Sequence, residues 1–340
     1  MDLMQHGSSQ PVSYPSTDLD GAPVTLTGLV HLPHTAPPAG GWPVVSYGHM
    51  TTGAGATSAP STGSPDHLEW RRMSQGDALC DALLAQGVAV LRPDYLGLGS
   101  PGTHPYLIGE PLARSVVDMV AARQTFDDRI GDRWVSAGHS EGSVAALHSA
   151  VQPSWPVPLL GVAAFAPVTR MDRTIGLSAR LPVVPPGFGV VSALIGLMLL
   201  GASTVSEEVA DLLASDGLGP EADALWPHLT QRCLTDLARD DSWGALPPRR
   251  IASPELYRAL FAVMRDNEVA RLVPRVPVRI DSARFDEVAP APLTTRLVAA
   301  YRRAGVQVTH RRWPTHHSGT MRPAYAPSEA VDWILARLGS

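Results

Sequence analysis

One serine in this sequence stands where it could act as a nucleophile. Residues 134–147 read WVSAGHSEGSVAAL, so Gly-His-Ser-Glu-Gly joins an apolar strand-like run to a helix-like run. A serine on such a sharp turn has a strained backbone, and the residues two positions before and after it must be small. Gly138 and Gly142 meet this condition. The pattern predicts that the turn presents the Ser140 hydroxyl for attack on a carbonyl carbon, and the alternative is a purely structural turn.

A serine hydroxyl needs a neighbouring base to take its proton, and histidine is the usual base. When the serine lies on this kind of turn, a carboxylate and then the histidine follow it along the chain. The segment RRWPTHHSGTM comes directly after a strand-like run near the C-terminus, and we assign the base to His317. The adjacent His316 stays open as an alternative, whereas His310 falls within the strand-like run.

The carboxylate that orients the histidine should follow the preceding strand. The segment PVRIDSARFDEVAP, residues 277–290, contains three candidates. Asp286 lies in the loop beyond the strand, from where it can reach the histidine, and it is the favoured acid. Glu287 and Asp281 remain alternatives, and Asp281 falls inside or at the end of the strand.

Backbone N–H groups near the serine could stabilise the negative charge of a tetrahedral intermediate. The Glu141 N–H lies at the N-terminus of the predicted helix, where positive partial charge gathers. A second donor is expected from Met50 or Thr51, in the loop-like segment VVSYGHMTTGAGATSAPS at 44–61. His49 precedes the serine in the chain, so we interpret it as an anchor for this loop and not as the base.

For these residues to meet, the strands that precede them must have their carboxyl ends at the same edge of a sheet. Short apolar runs alternate with amphipathic helical stretches, which predicts an α/β fold with a doubly wound, mostly parallel sheet. The first two predicted strands are close in the chain, and we expect them to pair antiparallel at one edge. The predicted strands are 24–32, 42–49, 88–95, 133–138, 159–167, 277–283 and 306–313. The predicted helices are 68–86, 111–126, 141–152, 290–304 and 326–338.

More than 100 residues between the fifth and sixth of these strands have no strand pattern. They include the Pro-rich RLPVVPPGFG and the helical VSEEVADLLASDG and ADALWPHLTQRCLTDLARDD, and they predict a helical cap inserted into the core. The apolar run at 188–201 is short of the roughly 20 residues that cross a bilayer. We interpret this run as packing inside the cap, with contact to a membrane or a partner as the alternative. The expected domains are a core of residues 1–168 and 276–340 and a cap of residues 169–275.

The composition favours a folded protein with a sizeable core. Hydrophobic residues make up 44%, charged residues 17%, and the net charge is −5. Nothing in this composition indicates a basic footprint for nucleic acid, and none is expected as a partner. Cys80 and Cys233 are too few for a disulfide framework and match no zinc spacing, so two free buried thiols are favoured over one bridge. No metal and no organic cofactor is expected.

The N-terminal segment MDLMQHGSSQPVSYPS lacks the basic start and the apolar stretch of a signal peptide. A cytoplasmic location is therefore expected, or secretion if the chain starts at a trimmed mature end. No stable membrane span is expected.

Several segments together resemble the secretory lipase family of α/β hydrolases. Members carry a His-Gly-Thr-Thr-Gly loop followed by Cys-Ala-Pro-Ser, and this chain has HMTTG at 49–53 and SAPS at 58–61. They also carry an Asp-Tyr-x-Gly-Leu-Gly turn with a nearby His-Pro-Tyr, matched by DYLGLGSPGTHPYL at 94–107. The segment YPSTDLDGAPVTLTGLVHLP at 14–33 and the Gly-His-Ser-Glu-Gly turn also match. The resemblance covers most of the chain and is weakest across the predicted cap. Asp94 is interpreted as part of a structural turn and not as the catalytic acid.

The resemblance implies an α/β-hydrolase fold with a helical cap, and a triad of Ser140, Asp286 and His317. Two positions depart from the family. Met50 stands where the family usually has Gly, in the loop of expected oxyanion donors. Ser58 stands where it usually has Cys, so the disulfide of secreted relatives is absent there, which agrees with a reducing compartment.

The expected activity is the cleavage of carboxylic esters by a serine hydrolase. The predicted substrate is a small-molecule ester or acyl compound that is partly apolar. One alternative keeps the triad in a biosynthetic transacylase or cyclising enzyme. Another is a hydrolase-fold binding protein that holds a ligand without turnover.

Overall fold

The computed structural model of the chain describes residues 4–180, 182–184 and 189–339. Within these ranges, eight strands form one sheet in the order β1-β2-β4-β3-β5-β6-β7-β8. The strands are β1 (Gly7–Thr17), β2 (Pro23–Pro33), β3 (Trp42–Gly48), β4 (Ala89–Pro93), β5 (Ile130–His139), β6 (Leu159–Phe165), β7 (Val278–Ala283) and β8 (Val308–Trp313).

Helices connect most of these strands. Over the same ranges they are α1 (Trp70–Met73), α2 (Asp77–Ala85), α3 (Gly109–Ala121), α4 (Arg123–Phe126), α5 (Glu141–Ser149), α6 (Met171–Ser178), α7 (Gly189–Ser203), α8 (Glu207–Ala214), α9 (Pro220–Leu225), α10 (His228–Gln231), α11 (Leu234–Leu237), α12 (Pro254–Asp266), α13 (Ala291–Arg303) and α14 (Ala326–Leu338).

The sheet is parallel from β4 to β8, and helices cover both of its faces. Strand β3 is buried along its whole length, as expected for a strand between two helical layers. Its residues alternate between the layers: Val44 packs in the cluster that contains α3, α5 and α13, and Val45 packs in the cluster that contains α2 and α14. The predicted α/β fold with a mostly parallel sheet is confirmed.

One expected strand pairing is wrong. The strand predicted at 24–32 does not pair with the strand predicted at 42–49, because β2 pairs antiparallel with β1 on one side and β4 on the other. The sequence pattern did not reveal β1, whose residues are largely polar and include Pro11 and Pro15. Proline is tolerated on an edge strand, and β1 occupies that edge.

In its described residues, the segment between β6 and β7 contains helices α6 to α12 joined by turns and loops, and no named strand. Helix α7 is buried on all sides from Ser192 to Ala202, which agrees with packing inside this segment. Phe188, the first residue of the predicted apolar run, lies outside the described residues, as do Leu181 and residues 185–187 of the Pro-rich stretch.

No single helix in the described ranges has the length and hydropathy to span a membrane. Helices α7 and α8 meet both criteria only when they are taken together, and a bend of 118° separates them. Cys80 and Cys233 are both buried and free, as expected.

Candidate active site

Ser140 lies on the tight turn between β5 and α5. Its φ of 56° and ψ of −116° place a non-glycine residue in a strained conformation. The Ser140 N–H donates a hydrogen bond of 3.0 Å to the carbonyl of Phe165 on β6. A side-chain carbon on Gly138 would overlap the backbone of Gly142, and one on Gly142 would overlap the carbonyl of Gly48. The two glycines therefore let the turn pack directly against β3.

His317 lies between the serine and a carboxylate. Its Nε2 is 2.8 Å from Ser140 Oγ, and its Nδ1 is 2.9 and 3.0 Å from the two carboxylate oxygens of Asp286. A carboxylate can only accept, so Nδ1 carries the ring proton and Nε2 is free to accept the serine proton. All three residues are less than 10% exposed. This continuous chain of hydrogen bonds is the arrangement that general-base activation of a serine needs.

The Asp286 carboxylate is held by its own loop. Its Oδ1 accepts the N–H groups of Val288 at 3.0 Å and Ala289 at 2.6 Å. The adjacent Phe285 N–H donates to the carbonyl of Thr315, 3.0 Å away. This last bond connects the loop after β7 to the loop after β8, and so it helps to set the distance between acid and base.

The neighbours of the acid and the base contact other groups. His317, and not His316, hydrogen-bonds to Ser140. Glu287 accepts the backbone N–H of His317 at 3.1 Å, so it holds the main chain of the histidine and not its ring.

The other two alternatives lie on the strands. Asp281 on β7 receives two hydrogen bonds from Arg279, of 2.6 and 2.9 Å, and one of 2.8 Å from Trp313 Nε1. Burial raises the pKa of Asp281, and the hydrogen bonds from Arg279 act in the opposite direction. His310 Nε2 lies 2.9 Å from Ser282 Oγ. Both residues therefore belong to structural contacts within the sheet.

The backbone donors proposed for an oxyanion come from α5 and from the loop after β3. In the described part of the chain, the N–H groups of Glu141, Met50 and Thr51 donate to no backbone carbonyl. Met50 and Thr51 are both buried, and Thr51 Oγ1 is 3.0 Å from the hydroxyl of Tyr106. Unused N–H groups of this kind can donate hydrogen bonds to the carbonyl oxygen of a ligand.

His49 anchors the loop that carries two of these donors. Its Nδ1 donates to the carbonyl of Met50 at 2.7 Å, and its own carbonyl accepts the Tyr95 hydroxyl at 2.9 Å. The rings of His49 and Tyr95 stack with centroids 4.4 Å apart. Burial lowers the pKa of His49 to about 3, so this ring stays neutral.

Asp94 has the structural contacts expected of its turn. Its carboxylate accepts the Thr27 hydroxyl at 2.7 Å and the Ser61 N–H at 3.2 Å. It thereby joins β2 to the segment that follows the loop of proposed oxyanion donors.

The sequence reasoning missed two histidines beside the site. His139 precedes the serine, and its ring centroid is 5.1 Å from that of His317. Its Nε2 lies 3.3 Å from the carbonyl of His317, and burial holds its pKa well below the ordinary value. His104 contacts the side chain of Glu141. The only sequence signal for these residues is their place inside the two motifs, Gly-His-Ser-Glu-Gly and His-Pro-Tyr.

A metal centre would need several ligating side chains together. Within the described ranges, no three or more His, Cys, Asp or Glu side chains are grouped to hold a metal ion.

The fold and the serine turn define an α/β hydrolase, and solved structures of this class share its fold. A putative hydrolase from Legionella pneumophila has a TM-score of 0.75 and 20% identity, covering 98% of this chain and 90% of its own. The rice cell wall degrading esterase LipA from Xanthomonas oryzae, with ligand bound, has a TM-score of 0.75 and 20% identity, covering 98% and 91%. Candida antarctica lipase A in its closed state has a TM-score of 0.74 and 16% identity, covering 92% and 73%. Comparison with curated protein sequences gives no match.

The sequence model of the family described as secretory lipase matches residues 72–340, and the chain belongs to this family. The family's description leans toward secretion, so the cytoplasmic location expected from the N-terminal segment is not supported.

Proposed function

We propose that this lipase-family hydrolase cleaves carboxylic esters through an acyl-enzyme on Ser140. His317 acts as the base, and Asp286 holds the imidazole in the required tautomer. The observation that carries the proposal is the line of hydrogen bonds from Ser140 Oγ through both ring nitrogens of His317 to Asp286.

The first half-reaction forms the acyl-enzyme. Ser140 Oγ bonds to the ester carbonyl carbon while its proton moves to His317 Nε2. The carbonyl oxygen becomes an oxyanion, which the N–H of Glu141 and one from Met50 or Thr51 stabilise. Collapse of the tetrahedral intermediate breaks the bond to the alcohol, which leaves with the proton from Nε2. One oxyanion donor is typically worth about 3–4 kcal/mol of transition-state stabilisation.

The second half-reaction releases the acid. Water attacks the acyl carbon as His317 Nε2 takes its proton, and collapse of the second intermediate returns that proton to Ser140 Oγ. An alcohol or amine in place of water would give acyl transfer by the same steps. The products therefore depend on what reaches the acyl-enzyme.

The helical segment between β6 and β7 favours the proposal that the substrate is partly apolar. We propose that residues 169–275 form a cap over the core, because Ser140 is only 5% exposed and His317 only 3% exposed. Helix α7 in this segment is apolar and buried from Ser192 to Ala202. Small-molecule esters with an apolar acyl part would suit such a cover.

The test compares Ser140→Ala with wild type on p-nitrophenyl esters of graded chain length. The substitution should lower kcat by about 10⁴-fold or more, since it removes the nucleophile. A fluorophosphonate should label wild type at Ser140 and leave Ser140→Ala unlabelled. Ser149→Ala is the matched control, because Ser149 is a buried serine on the same helix whose hydroxyl donates to the Ala146 carbonyl.

Two results would contradict the proposal. Wild type that is not labelled by the probe and does not turn over any ester would support a binding protein. Ester turnover that survives in Ser140→Ala would place the nucleophile elsewhere. Products formed with an added alcohol separate hydrolysis from acyl transfer.

A further inference from the structure

A buried histidine and a buried carboxyl group meet directly behind the serine turn. His104 lies in the loop between β4 and α3, and Glu141 is the first residue of α5. His104 Nε2 is 2.8 Å from Glu141 Oε1, and both side chains are fully buried. The two residues are 37 positions apart, so this contact depends on the fold.

The hydrogen bonds of His104 determine how many protons the pair holds. His104 Nδ1 lies 3.0 Å from the carbonyl of Leu96, and because a carbonyl only accepts, Nδ1 carries a proton. Between Nε2 and Glu141 Oε1 there must be one further proton, because two lone pairs would repel at 2.8 Å. Whether this proton belongs to the ring or to the carboxyl group, the pair is neutral overall.

The described aromatic and histidine side chains packed beside the pair are uncharged. Tyr95 and Tyr106 pack beside His104, with ring centroids 5.9 and 6.1 Å away, and burial raises the pKa of both phenols. His49 stacks on Tyr95, and burial lowers its pKa to about 3, so it is neutral as well. The other carboxyl oxygen, Glu141 Oε2, has no hydrogen-bond partner among the described residues. His104 is therefore the group that compensates Glu141.

We propose that His104 is a positioning residue that keeps the N-terminus of α5 able to stabilise an oxyanion, by sharing a proton with the Glu141 carboxyl group. This inference rests on the proposed function, in which the Glu141 N–H is an oxyanion donor.

The physical reason is a conflict within one residue. The N–H of Glu141 attracts developing negative charge, and the N-terminus of α5 adds to that attraction. An ionised carboxylate on the same residue would repel the oxyanion, and in a buried site water screens this repulsion only weakly. The proton shared with His104 removes the repulsion while the hydrogen bond holds the side chain in place.

The test is a double-variant cycle on kcat at pH 8 with a short p-nitrophenyl ester. His104→Ala should lower kcat by about 10- to 100-fold, less than or similar to the loss of one oxyanion donor. Glu141→Gln should lower kcat only a few-fold, because an amide can still donate to a neutral His104. The double variant should recover most of the loss of His104→Ala, since no carboxylate remains. KM should change little throughout the cycle.

A control variant separates this role from a packing defect. His148→Ala removes the ring of a half-buried histidine at the other end of α5. Adding Glu141→Gln should recover none of the kcat that His148→Ala loses, because the Glu141 carboxyl group hydrogen-bonds to His104.

Each outcome decides the question. A double variant as slow as His104→Ala would overturn the role of His104, and so would an equal recovery in the His148→Ala background. If His104→Ala does not fold, the same cycle with His104→Gln answers the question. Wild-type turnover that does not depend on Ser140 would instead overturn the proposed function itself, and the role of His104 with it.

Discussion

The N–H of Leu234, the first residue of α11, donates a hydrogen bond of 2.9 Å to the carbonyl of Thr52. Next to it, Gly53 and Cys233 form an isolated antiparallel bridge. Thr52 directly follows Met50 and Thr51, whose N–H groups are the proposed oxyanion donors. The helical segment between β6 and β7 is thus tied by its backbone to the loop that would stabilise the intermediate. A displacement of α11 should therefore change the geometry of that loop.

A buried glutamate strengthens this tie, and its loss should weaken it. Glu69 accepts the N–H of Thr235 at 2.8 Å and the Arg72 guanidinium at 2.7 Å. Glu69→Ala should lower the free energy of unfolding by about 2 kcal/mol, below the 3–5 kcal/mol of a fully buried pair, because Arg72 is partly exposed. It should also lower kcat. Urea denaturation and ester turnover provide the measurements.

The control for Glu69 is a glutamate–arginine pair on the surface. Glu110 is 55% exposed in its pair with Arg114, and Glu110→Ala should cost less than about 0.5 kcal/mol. Equal losses in both variants would show that Glu69 does not support the tie.

The choice of acid can be tested by replacing two adjacent carboxyl groups. Asp286→Asn should lower kcat by about 10⁴-fold, because an amide in place of the carboxylate favours the wrong tautomer of His317. Glu287→Gln should have a much smaller effect, because an amide oxygen can still accept the N–H of His317. The measurement is kcat for each purified variant, with thermal unfolding to check that both are folded. A larger loss of kcat in Glu287→Gln than in Asp286→Asn would mean that Glu287, and not Asp286, orients His317.

Replacing Gly142 with alanine should damage the protein although the residue lies in a helix. Helix propensity alone predicts a gain of about 1 kcal/mol for Gly142→Ala. The added carbon would overlap the carbonyl of Gly48, so we expect a net loss of about 2 kcal/mol or more, together with lower activity. Gly176→Ala on α6 is the control, because its added carbon would meet only the ring of Phe261, 3.6 Å away. A Gly142→Ala variant as stable as Gly176→Ala would contradict this steric argument.

His31 should make the folded state sensitive to acid. Burial, with a smaller effect from Arg92, lowers the pKa of His31 from 6.5 to about 3. The unfolded chain takes up this proton near pH 6.5, and the folded chain does so only near pH 3. The contribution of the neutral His31 ring to the free energy of unfolding is therefore complete above pH 6.5. It is lost as the pH falls from 6.5 to about 3.

This sensitivity can be measured as a difference between two proteins. Between pH 7.5 and pH 5, His31→Gln should lose about 2 kcal/mol less of its free energy of unfolding than wild type does. Urea denaturation at the two pH values measures both proteins, and other titrating groups cancel in the difference. An equal loss in wild type and variant would mean that His31 takes up its proton in the folded state.

Much of the fold could be read from local patterns. Seven strands and the helices around them are recognisable. The central strands are buried on both faces and need continuous apolar residues, and Gly and Pro mark the ends of the elements. Strand β1 could not be predicted from the sequence, because it lies at the edge of the sheet, where polar residues and two prolines are tolerated. The serine turn was recognisable for a local reason as well, since its steric demands concern residues only two positions from Ser140.

The partners of these local elements were decided only by the tertiary structure. Asp281, Asp286 and Glu287 all carry a carboxyl group and lie within seven residues. The loop position favoured Asp286, but its contact with the His317 ring depends on the fold. The histidine itself meets a serine 177 positions away. Likewise, β2 pairs with β4 because another strand occupies its outer edge, and His104 meets Glu141 because α5 packs beside the loop after β4. A local pattern indicates whether a residue is buried or lies on a tight turn. Its contacts with distant residues depend on how the strands are ordered in the sheet.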